Sequence, residues 1–162
     1  MTSSATDHVM ARITDAVTEF RSGDTDSART ALVALWAELG PAGDPLHRCA
    51  LAHYLADTYD DPAEALVWDL RALDAADVLT DTRLHAHDAS LRVAGFYPSL
   101  HLNLADNFRR LGSFPAARRH LDVAGESLGT LAADDYGALI RTAVAEVTEL
   151  VAAGDTTRRP TH

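Results

Sequence analysis

Lysine is missing from this chain of 162 residues, and cysteine occurs once, as Cys49. A lone cysteine excludes an internal disulfide and fits the reducing cytosol, so we expect a cytoplasmic protein. No apolar run approaches the roughly 18 residues that a membrane span needs. The stretch 1–7 also lacks the apolar segment of a secretory signal. We therefore expect no membrane among the partners of this protein.

Basic residues are few as well, since 14 arginines stand against 24 acidic residues and leave a net charge of −10. The arginines form no basic stripe, so nucleic acid is not an expected partner. The phosphate-binding loop G-x-x-x-x-G-K-[ST] and the metal motifs H-E-x-x-H and C-x-x-C do not occur. From these absences we predict a protein without catalytic residues, cofactor or bound metal.

Strand patterns are also lacking, because valine and isoleucine never alternate with polar residues. Alanine and leucine, both strong helix formers, supply much of the 47% hydrophobic content. Apolar residues instead recur at helical spacing between breaks rich in glycine and proline. We predict an all-α protein with a frayed tail over 154–162. The predicted helices cover about 7–21, 25–39, 45–59, 62–76, 81–94, 99–111, 114–129 and 134–153.

The most informative stretch is 104–124, in which two amphipathic helices flank a turn at Gly112. Its skeleton consists of Leu104, Ala105, Phe108, Gly112, Phe114, Ala117, Leu121 and Ala124. Antiparallel helices approach closely where both carry small residues, so we expect Ala105 to face Ala117, and Ala52 to face Ala65. One such pair cannot bury both of its faces, so neighbouring pairs are expected to stack.

This skeleton resembles the tetratricopeptide repeat, a helix–turn–helix unit of about 34 residues. Copies cover about 9–39, 46–76 and 99–129; the third matches well, the first is degenerate, and none has the opening tryptophan. The resemblance implies one domain, 1–162, built as a right-handed α-α superhelix of about three helix pairs. It also implies an inserted helix, 81–94, and a C-terminal capping helix, 134–153. An irregular helical bundle containing the same local pairs is the alternative.

The run 95–105 and the lysine-free composition are similar to short, stand-alone tetratricopeptide proteins of the actinobacterial type. Such repeats line a concave groove with the first helix of each pair, and the groove usually holds another protein. The resemblance therefore implies a scaffold-like, non-catalytic module that binds a peptide or helix of a partner protein. The implied groove residues are Ser99, Asn103, Asp106, Arg109 and Arg110 in the third copy, and Cys49, His53 and Asp57 in the second.

Two of these residues have chemistry suited to a peptide. Asn103 offers both a donor and an acceptor for a peptide backbone, and Arg110 offers charge for a carboxylate. The lysines of the family's carboxylate clamp have no counterpart here. Two other functions stay open: a homo-oligomeric scaffold, for example a homodimer, and a small-ligand or metal site. The latter would be built from His53, Asp57, His101 and Asn103.

Two further features have more than one explanation. Acidic residues concentrate at Asp57, Asp60, Asp61, Glu64 and Asp69. They form either a patch for a basic segment or a divalent cation, or a set placed by the preference of helix N-termini for acids; the latter is the commoner cause. Trp68 lies off the apolar stripe formed by Leu66, Leu70 and Leu73. We expect it to be partly exposed as a contact residue, or to pack between helix pairs.

Overall fold

The computed structural model describes residues 7–88 and 91–160, and these residues form helices and connecting turns with no strand. The all-α prediction is confirmed. The α-helices are α1 (His8–Arg21), α2 (Thr25–Leu39), α3 (Pro45–Asp57), α4 (Pro62–Asp77), α5 (Asp81–His87), α6 (Tyr97–Arg110), α7 (Phe114–Ser127) and α8 (Asp135–Ala152). Short 3-10 turns cover Val93–Gly95 and Leu128–Thr130. Within the described ranges, no helix is long and apolar enough to cross a membrane.

Aspartates and glycines fix where the helices begin and end. The side chain of Asp24 accepts from the backbone N–H of Ser27, and that of Asp61 accepts from Ala63, so both cap the exposed N–H groups of a first turn. Gly23 and Gly112 follow α1 and α6 with φ of 101° and 77°, a conformation that L side chains rarely adopt. These residues set the tight turns within the helix pairs.

The helices pack in chain order as antiparallel pairs. Contacts are most extensive between α3 and α4 and between α6 and α7, and α4 against α6 joins these two pairs. Helix α3 packs on both α1 and α2, and α8 packs on both α6 and α7. The helix that follows a pair therefore covers that pair on both helices for α1–α2 and α6–α7, whereas α6 packs on the second helix, α4, of the pair α3–α4.

The small residues lie in the core, where close approach was predicted. Ala52, Ala105 and Ala117 have no exposed surface, and Ala65 keeps 5%. Ala105 and Ala117 belong to one buried cluster that also contains Leu121. A side chain larger than alanine at these positions would have to displace the neighbouring helix.

Several boundaries and exposures differ from the sequence expectation. The inserted helix predicted over 81–94 ends at His87, and residues 89–90 of that range lie outside the described residues. From residue 91 onward the chain lies near the start of α5, where the backbone N–H of Val93 donates to Asp81 Oδ1 at 2.9 Å. Helix α6 begins at Tyr97, before the predicted 99, because Pro98 fits a first turn, where no N–H is needed.

Trp68 is buried, with 9% of its surface exposed, so of the two expectations packing between helix pairs is confirmed and partial exposure is wrong. Its ring meets that of Trp36 edge-on at 5.3 Å between centroids, as packing between helix pairs requires. Helix α4 is covered by both α3 and α6, so its buried arc is wider than one apolar stripe. Leu70, on the predicted stripe, is instead 43% exposed.

The segment after α8 packs against the preceding helices and turns. The backbone carbonyl of Asp155 accepts from Arg109, Arg158 pairs with Asp60, and Arg159 pairs with Glu146 at 2.6 Å. The sequence predicts a frayed tail over 154–162; residues 154–160 make these contacts, and 161–162 lie outside the described residues. Arg158 and Arg159 pair with carboxylates, and the buried Arg109 donates to the backbone of Asp155. These contacts explain why residues 154–160 pack on the helices although the sequence predicts a frayed tail.

Candidate functional site

Polar side chains from three helices converge where α3, α4 and α6 meet. We call this set the polar cluster; it consists of His53 and Asp57 on α3, Asp69 on α4, and Asn103, Asp106 and Asn107 on α6. Residues three or four apart share a helix face, so α3 and α6 each present their members together. His53 and Asn103 join the two helices, with 3.4 Å between His53 Nδ1 and Asn103 Nδ2.

Asp69 is the buried centre of the polar cluster, with only 3% of its surface exposed. Its Oδ2 accepts a 2.6 Å hydrogen bond from Asn107 Nδ2, whereas its Oδ1 is buried without a partner. Burial raises the pKa of Asp69 to about 8; the hydrogen bond from Asn107 opposes this shift, and the charge of Asp57 adds to it. The carboxyl group is therefore largely protonated at neutral pH.

Asp57 lies beside Asp69 at the surface. More than a third of its surface is open to solvent, yet desolvation by surrounding protein raises its pKa, against the opposing charges of His53 and Arg21. The two observations agree for a side chain at the base of a concave surface, which water reaches from one side only. The carboxylate of Asp57 is therefore accessible to a ligand from that side.

Asn103 is half-buried between these groups. It helps to lower the pKa of Asp69, although it makes no hydrogen bond to the unpartnered Oδ1. Its single side-chain contact to His53 is long, so one amide can turn toward either neighbour. Asn103 therefore keeps hydrogen-bonding capacity available at an accessible position.

Arg109 does not line the groove that the sequence predicts. Its side chain is fully buried: Nε and Nη2 donate to Asp106 Oδ1 at 2.9 and 2.7 Å, and Nη1 donates to the carbonyl of Asp155 at 2.7 Å. Helix α8 covers this side of α6. The guanidinium is used within the chain and is not offered to a partner.

The other predicted groove residues of α6 stay at the surface. Arg110 is half-buried and its Nη2 donates to the backbone carbonyl of Asp60 at 2.7 Å. Ser99 Oγ donates to the carbonyl of Phe96 at 3.1 Å, at the first turn of the helix. Asn103 and Asp106 lie between these two at helical spacing. The four residues share one face of α6, at the edge of the polar cluster.

His101 lies apart from the polar cluster, so the four-residue site predicted with His53, Asp57 and Asn103 comes together only in part. Its Nδ1 is 3.0 Å from His120 Nδ1 on α7, and its ring stacks on His120 and Tyr97. Burial lowers the pKa of both histidines. Over residues 7–88 and 91–160, no group of three or more histidine, cysteine or acidic side chains is placed to hold a metal.

Two possible nucleophiles, Cys49 and Ser127, are engaged in packing or hydrogen bonding within the fold. Cys49 is 4% exposed, and burial raises the pKa of its thiol to about 12, so it stays protonated and lies in the core instead of the groove. Ser127 stands at the centre of Gly125-Glu126-Ser127-Leu128-Gly129, which has the G-x-S-x-G spacing. That motif acts at a strand-to-helix turn, whereas Ser127 ends α7 and its Oγ donates to the carbonyl of Val123 at 2.9 Å.

Asp69 and Asn107 were not predicted as site residues. Both interrupt a buried stripe: Asp69 falls between Ala65 and Ala72, and Asn107 follows Leu104 by three residues. A polar residue on an otherwise buried helix face needs a partner, so the pattern contained a signal. The identity of that partner, 38 positions away, depends on how α4 packs against α6.

Comparison of the chain with family models, curated proteins and solved structures gives no match.

Proposed function

We propose that this chain is a non-catalytic interaction module that binds a peptide or helix of a partner protein in the cytoplasm. Its binding face is the surface of α3 and α6 that carries the polar cluster, arranged as the concave side of a right-handed superhelix of the tetratricopeptide type. The observation that carries the proposal is the convergence of donors and acceptors from three helices at an accessible position. Asn103 and Asp57 supply the accessible part of that surface.

The packing of the pairs supports a stack with a lined face. Helix α3 contacts both helices of the preceding pair, and α8 does the same for the pair α6–α7. Two hydrogen bonds connect α6 with α3 and with the turn that follows it: His53 with Asn103, and Arg110 with the carbonyl of Asp60. These contacts support the proposal that one peptide can reach polar groups of both helices.

Affinity capture with the full-length chain tests this proposal. The chain is immobilised, incubated with lysate and with a displayed peptide library, and compared with the double variant Asn103→Ala/Arg110→Ala. We expect the double variant to recover at least about tenfold less of the bound material, because an interface depends on few central residues.

The matched control is Arg118→Ala/Arg119→Ala, since both arginines are exposed on α7 and outside the polar cluster. This control is expected to recover the same bound material as the unchanged protein. Circular dichroism verifies that both double variants keep their helix content. Equal recovery by the Asn103→Ala/Arg110→Ala variant would contradict the assignment of this face.

A further inference from the structure

Resting on the proposed function, we infer that the polar cluster receives the guanidinium of an arginine side chain from the partner segment. The carboxylates of Asp57 and Asp69 and the amide oxygen of Asn103 are its acceptors. The site is thus specific for a basic side chain, the opposite of a site for a carboxylate.

The unpartnered oxygen of Asp69, Oδ1, is the first feature that points to a ligand. Asp69 is 3% exposed, and its Oδ1 has lost its contact with water without gaining a hydrogen bond. Native structures seldom leave such an atom unpaired, and where they do a ligand is one of the few explanations. The charge of Asp57 acts on Asp69, and the amide of Asn103 lies near enough to affect it as well. Asp69 therefore lies next to Asp57 and Asn103, which form the accessible part of the cluster.

The second argument is the sign of the charge. The charged groups that act on Asp69 are Asp57 from α3 and Asp106 from α6. His53 and Arg21 act in turn on Asp57, and Arg109 donates to Asp106. Asp106 is already neutralised by Arg109, which is itself buried. Asp57 and Asp69 remain as two neighbouring carboxyl groups, of which Asp69 holds a proton at neutral pH. A cationic ligand compensates Asp57 and takes the place of the proton on Asp69.

The third argument is the shape of the acceptor set. Carboxylate and amide oxygens come from three helices, so they approach a ligand from different directions. A guanidinium carries five N–H donors in a fixed plane and can serve several acceptors at once, whereas an ammonium is a compact point charge.

Binding should be linked to proton release. Since burial raises the pKa of Asp69 to about 8, the guanidinium has to displace a proton from this carboxyl group at neutral pH. Affinity is therefore expected to rise with pH and to level off above the pKa. Between pH 7 and pH 9 the deprotonated fraction changes by about tenfold, and so should the affinity.

The experiment is an NMR titration of the full chain with N-acetyl-arginine methylamide. The matched probe is N-acetyl-citrulline methylamide, which has nearly the same shape without the charge. The side-chain carbonyl and carboxyl carbons of Asn103, Asp57 and Asp69 are followed by carbon detection. We expect saturable shifts with the arginine probe only, at about tenfold lower concentration at pH 9 than at pH 7.

The variant Asp69→Asn keeps an oxygen for Asn107 and removes the ionisable group, so the response to the arginine probe and its pH dependence should both be lost. Asp74→Asn, on the exposed side of the same helix, should behave as the unchanged chain. Absence of saturable shifts, or equal shifts with citrulline, overturns the inference. If the library yields peptides that need Asn103 but contain no arginine, the proposed function stands and this inference fails. If the probe binds but no segment is captured, the proposed function fails instead.

Discussion

Two junctions of α6 each bury an ionisable residue, but the hydrogen bonding of that residue differs between the two junctions. At the junction with α8, Arg109 has no exposed surface, and its Nε, Nη1 and Nη2 all donate to oxygen atoms of the chain. At the junction with α4, Asp69 is equally enclosed, but only one of its two oxygens has a partner. The first junction is complete as it stands, and the second has one hydrogen bond missing.

The contrast distinguishes a buried polar group whose hydrogen bonds are all made from one with a hydrogen bond missing. A buried ion with all its hydrogen bonds rigidifies the contact it spans, because removing either partner leaves the other uncompensated. A buried carboxyl oxygen without a hydrogen bond lowers stability, as polar groups retained for binding often do. Arg109 therefore fixes α6 against the chain at the end of α8, whereas Asp69 belongs to the cluster proposed above for binding.

Replacing Arg109 is expected to cause the largest loss of stability. Arg109→Ala removes the partner of Asp106 and of the Asp155 carbonyl and leaves a void between α6 and α8. We expect a loss of about 3–5 kcal/mol in the free energy of unfolding, the usual cost of breaking a buried ion pair. Urea denaturation followed by circular dichroism measures it.

The matched control is Arg118→Ala, which truncates an exposed arginine on α7 and should change stability by less than about 0.5 kcal/mol. A similar small effect for Arg109→Ala would mean that the α6–α8 junction does not depend on the guanidinium. Arg109 at the α6–α8 junction would then have no stabilising role that distinguishes it from Asp69 at the α4–α6 junction.

Replacing Asp69 should have the opposite sign. The pKa of Asp69 rises from its ordinary value of 3.8 to about 8 on folding, chiefly through burial. The folded state therefore holds a proton that the unfolded state has lost, and stability falls as the pH rises from about 4 to 8. Asp69→Asn removes this loss. Because each of the roughly four units of pKa shift is worth about 1.4 kcal/mol, the variant should be more stable by up to about 5 kcal/mol at pH 8, and by less than about 1 kcal/mol near pH 4.

Unfolding curves at several pH values, with Asp74→Asn as the exposed control on the same helix, measure this difference. A stabilising change at a residue that the binding probe requires would be a direct sign of a trade between stability and function. Destabilisation by Asp69→Asn at pH 8 would instead assign the carboxylate a structural role like that of Arg109.

The helices could be predicted from the sequence because their signals are local. Apolar spacing, aspartate caps and the turn glycines all act within a few residues, and seven of the eight α-helices in the described residues have both ends within two residues of the expected positions. Helix α5 ends seven residues early, because the following chain folds back and Val93 bonds to Asp81, a contact across twelve positions.

The site was predictable only where it lies on one helix face. His53 with Asp57, and Asn103 with Asp106, follow from helical spacing alone. Arg109 and Arg110 are neighbours in sequence, and which of them is buried depends on where α8 packs. The pair Asp69–Asn107 likewise depends on how α4 meets α6. Long-range packing decided each residue that sequence reasoning misplaced.

The smallest effect is expected for a charge pair that lies largely at the surface. Arg158 pairs with Asp60, but these side chains are 48% and 88% exposed, so solvent screens their attraction. Arg158→Ala should therefore cost at most about 0.5 kcal/mol, and less in high salt. Urea denaturation at low and high ionic strength, beside the same measurement on Arg109→Ala, gives the contrast. A loss above about 1 kcal/mol for Arg158→Ala would show that the tail contributes to the framework together with Arg109, because an exposed pair alone does not reach that value.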